Sequence, residues 1–400
     1  MPRKIAVITT SRADYSHLYW VLRRIADHPD LELQLIALGP HLSPEFGNTA
    51  DEIEKDGFPL HSRIECLLSS DTDIGMAKTI GLATLSLADH LGRTRPDLLL
   101  LIADRFEMLA PASVALALRI PIAHIEGGEI SEGAIDDAVR NALTKLSHVH
   151  FTSTRTAADR VISMGEEPWR VHCAGAPSLD HLSHSALRTR EQMETELCVD
   201  LSVPPILIAY HPTTLARDTV READEVFEAL ANLSRPLLFC YPNADAGSRS
   251  LIDRTRAFLD THSNAGMFIN LNPISYWSLL RCAAMLLGNS SSGVMEAASF
   301  GIPAVNIGIR QRGREHGPNV LIAQPSAEAI LEQVQRASDP AFQASLKGMQ
   351  NLYGDGHAAE RIVQVLATAP LGETLLIKRA GLHTADSRQT ATHTLPPSRN

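Results

Sequence analysis

Cysteine is scarce in this chain. The five that occur, Cys66, Cys173, Cys198, Cys240 and Cys282, are scattered and form no C-x-x-C pair. An odd, unclustered set excludes a disulfide framework, makes structural zinc a poor reading, and leads us to expect reduced thiols and a cytoplasmic location. Long apolar runs are also missing, and none approaches the roughly 20 residues that cross a bilayer. The opening MPRKIAVITT has two basic residues and passes straight into a strand, so no signal peptide is expected. Positive charge is in deficit. The net charge of -10 argues against nucleic-acid binding, which needs clustered Lys and Arg to neutralise phosphates. It leaves room for an anionic small molecule, because a few local arginines decide that.

Several catalytic signatures are absent as well. No G-x-G-x-x-G follows the first strand, so dinucleotide binding lacks its fingerprint, and no P-loop is present. No G-x-S-x-G nucleophile elbow occurs. HIE at His124 matches the start of a zinc-deaminase signature, but the required P-C-x-x-C never follows. We expect no cofactor and no metal.

What is present is an ordinary globular composition, 44% hydrophobic and 20% charged, in a chain long enough at 400 residues for two domains. KIAVITT, LELQLIALG, DLLLLIA, IPIAHIE and HVHFTST read as strands in the first half. Their near-continuous hydrophobicity fits parallel strands covered on both faces. SHLYWVLRRIADH, MLAPASVALAL and IDDAVRNALTKLS carry helical spacing between them. The pattern then restarts with PILIAYHP, PLLFCYP, MFINL, AAMLLGN and IPAVNIG. Two successive doubly wound α/β units are expected, with the ligand at the carboxyl ends of the strands and in the cleft between the units. We place the first unit at residues 1–178 and the second at 179–369, with the last helix free to pack back on the first. Residues 370–400, rich in Thr, Ser and Pro, read as a disordered tail.

Chemistry gathers where the apolar strands stop. AVITT gives way to SRADYS with Arg12; DLLLLIA gives way to DRFE with Asp104 and Arg105; IPIAHI delivers His124 and then Glu126. Any one such residue is often only a helix cap. A single sheet edge presenting all five is a stronger pattern, because crowded carboxylates divide into an acid and a base. Asp136 and Asp137 open the next helix, and for Asp137 interaction with the helix dipole suffices. His148 and His150 sit on one face of a strand, with no third ligand at a metal-binding spacing. In the second unit, GNSSSGVMEAASFG sets Asn289, Ser290, Ser291 and Ser292 before a helix, a layout suited to a diphosphate. Glu296, one turn on, is placed to accept from a ribose diol. IRQRGREHG supplies Arg310, Arg312 and Arg314, and His211 ends a further strand.

SRADY, DRFE, HIEGGE, IDDAVRNALTKLSHVHF, GAPSLD, HPTT, PNADAG, GNSSSGVMEAASFGIPAVNIG and RQRGRE occur in this order. Up to about residue 366 the chain resembles the hydrolysing UDP-N-acetylglucosamine 2-epimerases of sialic and legionaminic acid synthesis. The resemblance implies a GT-B fold, two Rossmann-like domains facing each other across a cleft that holds the sugar nucleotide. It implies loss of UDP from C1 with removal of the C2 proton, then addition of water and return of a proton from the opposite face. The products would be UDP and a ManNAc-type sugar. Substrate is left open between UDP-GlcNAc and its 2,4-diacetamido-2,4,6-trideoxy relative. The family's catalytic carboxylates map onto Asp104, Glu126 and Asp136, with His211 as its cleft histidine. Its UDP contacts map onto Arg12, Arg105, Asn243, Ser290, Ser291, Glu296 and Arg310, and His124 and His150 are expected to reach the substrate. A homodimer or homotetramer is expected. The family carries glycine where this chain has Thr10 and Ala103. A non-hydrolysing epimerase would show GTRPE in place of SRADY, a GT-B glycosyltransferase would need an acceptor site, and a sugar-nucleotide sensor would have lost an acidic residue.

Overall fold

Alternating apolar runs and helices build two parallel sheets. A computed structural model describes residues 1–44, 47–68, 72–130, 132, 135–211, 219–241, 249–269 and 271–379. The first sheet comprises β1 (Arg3–Thr9), β2 (Leu31–Leu38), β3 (Ser62–Ile64), β4 (Leu98–Ile102), β5 (Ile122–Ile125), β6 (Val149–Thr152) and β7 (Val171–Cys173). Its order is β3-β2-β1-β4-β5-β6-β7, with every neighbouring pair parallel. The second comprises β8 (Ile206–Ala209), β9 (Leu237–Tyr241), β10 (Ala265–Ile269), β11 (Met285–Gly288), β12 (Ala304–Ile307) and β13 (Val320–Ala323), ordered β10-β9-β8-β11-β12-β13.

The strand interiors explain the sequence pattern. All five residues of β4 and all four of β5 are buried, as sheets covered by helices on both faces require. One core cluster joins β1, β2 and β4 to the Arg12–Ala26 helix through Leu18, Leu22 and Ile25. The second sheet has its own clusters, among them Phe227, Phe239 and Phe258.

The chain crosses back at its end. The Ala358–Thr368 helix sets Ile362, Val363 and Leu366 into the first core. Buried Asp180 anchors its start, accepting from the Ala358 and Ala359 amides at 2.8 and 2.7 Å. Part of the compositional tail is folded. Glu373–Leu376 is a short helix with Leu375 fully buried. Lys378 binds the buried carboxylate of Glu166 at 2.7 Å, and Arg170 donates to the Leu375 carbonyl at 2.7 Å. The folded stretch is the apolar start of the tail, with Leu375, Leu376 and Ile377, and long-range contacts hold it to the first domain. Residues 380–400 lie outside the described part.

Candidate active site

Each sheet reverses its strand order once, between β1 and β4 and between β8 and β11. Open α/β sheets bind ligands outside the carboxyl ends of the strands at such points. Here β1 runs into Ser11 and Arg12, β4 into Asp104 and Arg105, β8 into His211, and β11 into Asn289 and Ser290. A cavity of about 680 Å³ opens between these edges, with Arg12, Arg105, His211, Tyr276, Ser290 and Ser292 on its walls.

Local bonding fixes the loops. Ser11 caps the Arg12–Ala26 helix, and the buried Asp14 carboxylate accepts from the Thr10 amide at 3.1 Å and from the Thr10 hydroxyl. Arg105 donates to fully buried Glu107 at 2.7 Å. Across the cavity, the Asn289 side chain bonds both backbone groups of His211 at 2.8 Å, while the Asn289 carbonyl accepts from Arg310 at 2.8 Å. Gly288 permits this approach of β8 and β11, since a Cβ there would lie 2.2 Å from the Ala209 oxygen.

None of Asp104, Glu126, Asp136 and Glu296 is on the cavity wall; Asp104 directly precedes Arg105 and Glu296 bonds Ser292, both of which are. Ala103 and Glu126, at the ends of β4 and β5, take left-handed backbone with φ of 59° and 65°. Side chains rarely adopt that conformation, and such strain concentrates at functional sites. Strand-end hydrogen bonds hold both in place, Ala103 to Ile125 at 3.0 Å and Glu126 to Phe151 at 2.8 Å. Asp104 pairs with Arg140, which is buried on the Ile135–Leu146 helix and also donates to the Glu129 carbonyl at 3.0 Å. Glu126 faces His17 at 3.2 Å.

These environments drive the two carboxylates apart. Burial pushes Asp104 up; Arg140 opposes, while Asp136 and Glu126 repel it further, and the result is about 6. Burial also works to raise Glu126, but His17, by charge and hydrogen bond, with Arg314 and Arg140, outweighs it and holds the group below its usual range. Burial works against charge on His17, yet Glu126, Glu296 and Asp14 lift the ring to about 9. Glu296, from the second domain, is 7% exposed; burial raises its carboxyl, with His17 and Ser292 opposing. Burial and Arg310 hold His211 down at about 4.

The structure therefore brings Asp104, Glu126, Asp136 and Glu296 into one electrostatic group, with Arg12, Arg105, His211 and Ser290 on the adjoining cavity wall and Arg310 behind it. Ser291 begins the short Ser291–Met295 helix next to the cavity. Two expected substrate contacts, His124 and His150, are not on the cavity wall. His124 is fully buried beneath the strand ends, bonded to the Ala103 carbonyl at 2.8 Å. His150 is fully buried against Glu166 at 3.1 Å, on the side where the C-terminal segment docks. All four residues of each of their strands are buried. Asn243 lies outside the described residues. Asp137 pairs with Arg140 at 3.8 Å, so local bonding on its own helix accounts for it. His17 and Arg140 were missed. No sequence signal marked His17, because packing alone turns the helix face with Ala13 and Ser16 toward the cavity. Among the described residues, no group of three His, Cys, Asp or Glu is arranged to hold a metal.

Residues 23–367 match the family model described as UDP-N-acetylglucosamine 2-epimerase. A relative from Legionella pneumophila, named UDP-N,N'-diacetylbacillosamine 2-epimerase (hydrolyzing), is 35% identical over 94% of this chain and 99% of its own. One from Campylobacter jejuni, named GDP/UDP-N,N'-diacetylbacillosamine 2-epimerase (hydrolyzing), is 36% identical over 80% of this chain and 84% of its own. Among solved structures, the UDP-GlcNAc 2-epimerase of Neisseria meningitidis bound to UDP-GlcNAc superposes with a TM-score of 0.77 at 18% identity. That match covers 91% of this chain and 99% of the other.

Proposed function

The chain belongs to the UDP-N-acetylglucosamine 2-epimerase family, and from that premise we propose that it is a hydrolysing 2-epimerase acting on a UDP-2-acetamido sugar. It eliminates UDP and adds water with inversion at C2, releasing UDP and a manno-configured 2-acetamido sugar. The observation that carries this reading is the pair of carboxylates at the ends of adjacent strands, one near neutrality and one held ionised, next to residues that line an interdomain cavity. Two carboxylates driven apart by their surroundings make an acid and a base from one residue type.

The physical demand is specific. The C2 proton of a 2-acetamido sugar is weakly acidic, so its removal must be coupled to departure of the diphosphate from C1. Glu126, kept anionic by His17, suits the base. Asp104, with its pKa of about 6, suits a group that gains and loses a proton near neutral pH. Asp136 stands by to assist reprotonation or to orient water. Arg12, Arg105 and the Ser290 turn are placed to receive the diphosphate, where positive charge and N–H donors stabilise the leaving group. The N,N'-diacetylbacillosamine named for both relatives favours the 2,4-diacetamido-2,4,6-trideoxy substrate over UDP-GlcNAc. Incubation with each nucleotide, followed by identification of the products, tests the proposal. Free UDP with a free manno sugar supports it. A UDP-linked manno product would make the enzyme non-hydrolysing, and turnover only with an added acceptor would make it a glycosyltransferase.

A further inference from the structure

His17 has no part in the diphosphate site, yet it occupies the junction of the two domains. It sits one turn beyond Ala13 on the Arg12–Ala26 helix, next to Ser16, which lines the cavity. Its Nδ1 lies 3.2 Å from Glu126 Oε1, with the His17 side chain 32% exposed and that of Glu126 12% exposed. From the opposite domain comes Glu296, itself 7% exposed, whose Oε2 finds no hydrogen-bond partner among the described residues. The charged neighbours of Glu126 are His17 on its helix, Arg140 from the Ile135–Leu146 helix, Arg314 from the loop after β12, and Asp104, Glu129 and Glu296 as repelling carboxylates. His17 makes the direct contact. Arg140 is committed to Asp104, and Arg314 bonds the Ile130 carbonyl at 3.4 Å.

We propose that His17 is a positioning residue of this site: its ring fixes the Glu126 carboxylate at the end of β5 and keeps a positive charge against it, with Glu296 completing the arrangement when the domains face each other. Glu126 stands on left-handed backbone at a strand end, so its side chain needs an anchor to hold one direction. A buried carboxylate without a paired cation takes up a proton and ceases to be a base. His17 supplies the anchor and the charge together. The proposal rests on the epimerase reading, because the carboxylate being positioned is the one assigned to C2.

The test is His17→Gln, which keeps a donor and removes the charge, compared with wild type on both UDP-sugars. We expect kcat at pH 7 to fall by about tenfold or more, a part of what an acid–base group contributes, with KM little changed. The acidic limb of the kcat profile should move to higher pH, because Glu126 then protonates more readily. UDP binding by calorimetry and the melting temperature control for folding. A wild-type kcat and pH profile in His17→Gln overturns the proposal, and so does loss of UDP binding in step with kcat in a folded variant. If wild type turns over no UDP-sugar, the epimerase reading fails by itself. Imidazole NMR then decides on His17 alone. A ring that titrates near 9 in wild type and at a lower value in Glu126→Gln supports the pairing, and an ordinary histidine value in wild type overturns it.

Discussion

Asp104→Asn should make the protein more stable while removing its activity. Burial and two neighbouring carboxylates raise the Asp104 pKa from 3.8 to about 6 despite Arg140. A carboxyl whose pKa rises on folding favours the folded state when protonated, so that contribution is present below pH 3.8 and is lost as pH climbs to about 6. Each tenfold change in ionisation is worth 1.36 kcal/mol, so at pH 7 the ionised Asp104 weighs against the fold by about 3 kcal/mol. At pH 4, close to the unfolded pKa, the same group weighs far less. Asparagine removes the charge, and Arg140 keeps Asp137 at 3.8 Å and the Glu129 carbonyl at 3.0 Å. Urea unfolding followed by tryptophan fluorescence should show the variant ahead of wild type by up to about 3 kcal/mol at pH 7. The lead should shrink nearly to nothing at pH 4. A variant less stable at pH 7, or one whose lead is the same at both pH values, would refute the reasoning.

Ala103→Gly relieves a left-handed residue with φ of 59° and should raise urea resistance by about 1 kcal/mol without loss of turnover. His124 is buried neutral, and burial holds its pKa down at about 4. Its stabilising contribution is therefore full above pH 6.5 and lost as pH falls to about 4, so His124→Gln should flatten the acid loss of stability across that window in a pH series of melts. A chain ending at Pro370 gives up the buried Leu375 and the Lys378 partner of Glu166. It should lose about 3 kcal/mol by urea titration, the scale of an emptied leucine site with a weakened buried ion pair.

The long central strands were legible because each is a continuous apolar run bounded by polar residues, and doubly wound order followed from their alternation with helices. The edge strands β3, β7 and β13 were not. β3 and β7 are three residues each and mix polar with apolar side chains, so no apolar run marks them, and the four apolar residues of β13 were passed over. The 22-residue helix Asp73–Thr94 was also passed over, since Gly75, Gly81 and Gly92 interrupt its apolar spacing. At the site, residues that follow directly on a strand end could be read, because the sheet edge gathers them whatever the helices do. Asp104, Arg105, Glu126 and His211 are of that kind. His17 and Arg140 come from helix faces, and only packing reveals which face meets the cleft. His124 and His150 lie inside strands, buried and bonded away from the cavity wall. A polar residue inside a strand can be satisfied by a carbonyl or a buried carboxylate, and nothing in the local pattern separates that from a ligand contact.

The most direct measurement is turnover of the UDP-2,4-diacetamido sugar in D2O with NMR of the released hexose. Proton exchange by the carboxylates at the ends of β4 and β5 predicts one deuterium at C2 of a free manno-configured product. Asp104→Asn and Glu126→Gln should abolish its formation. A free sugar that keeps its original hydrogen and gluco configuration at C2 would contradict the account.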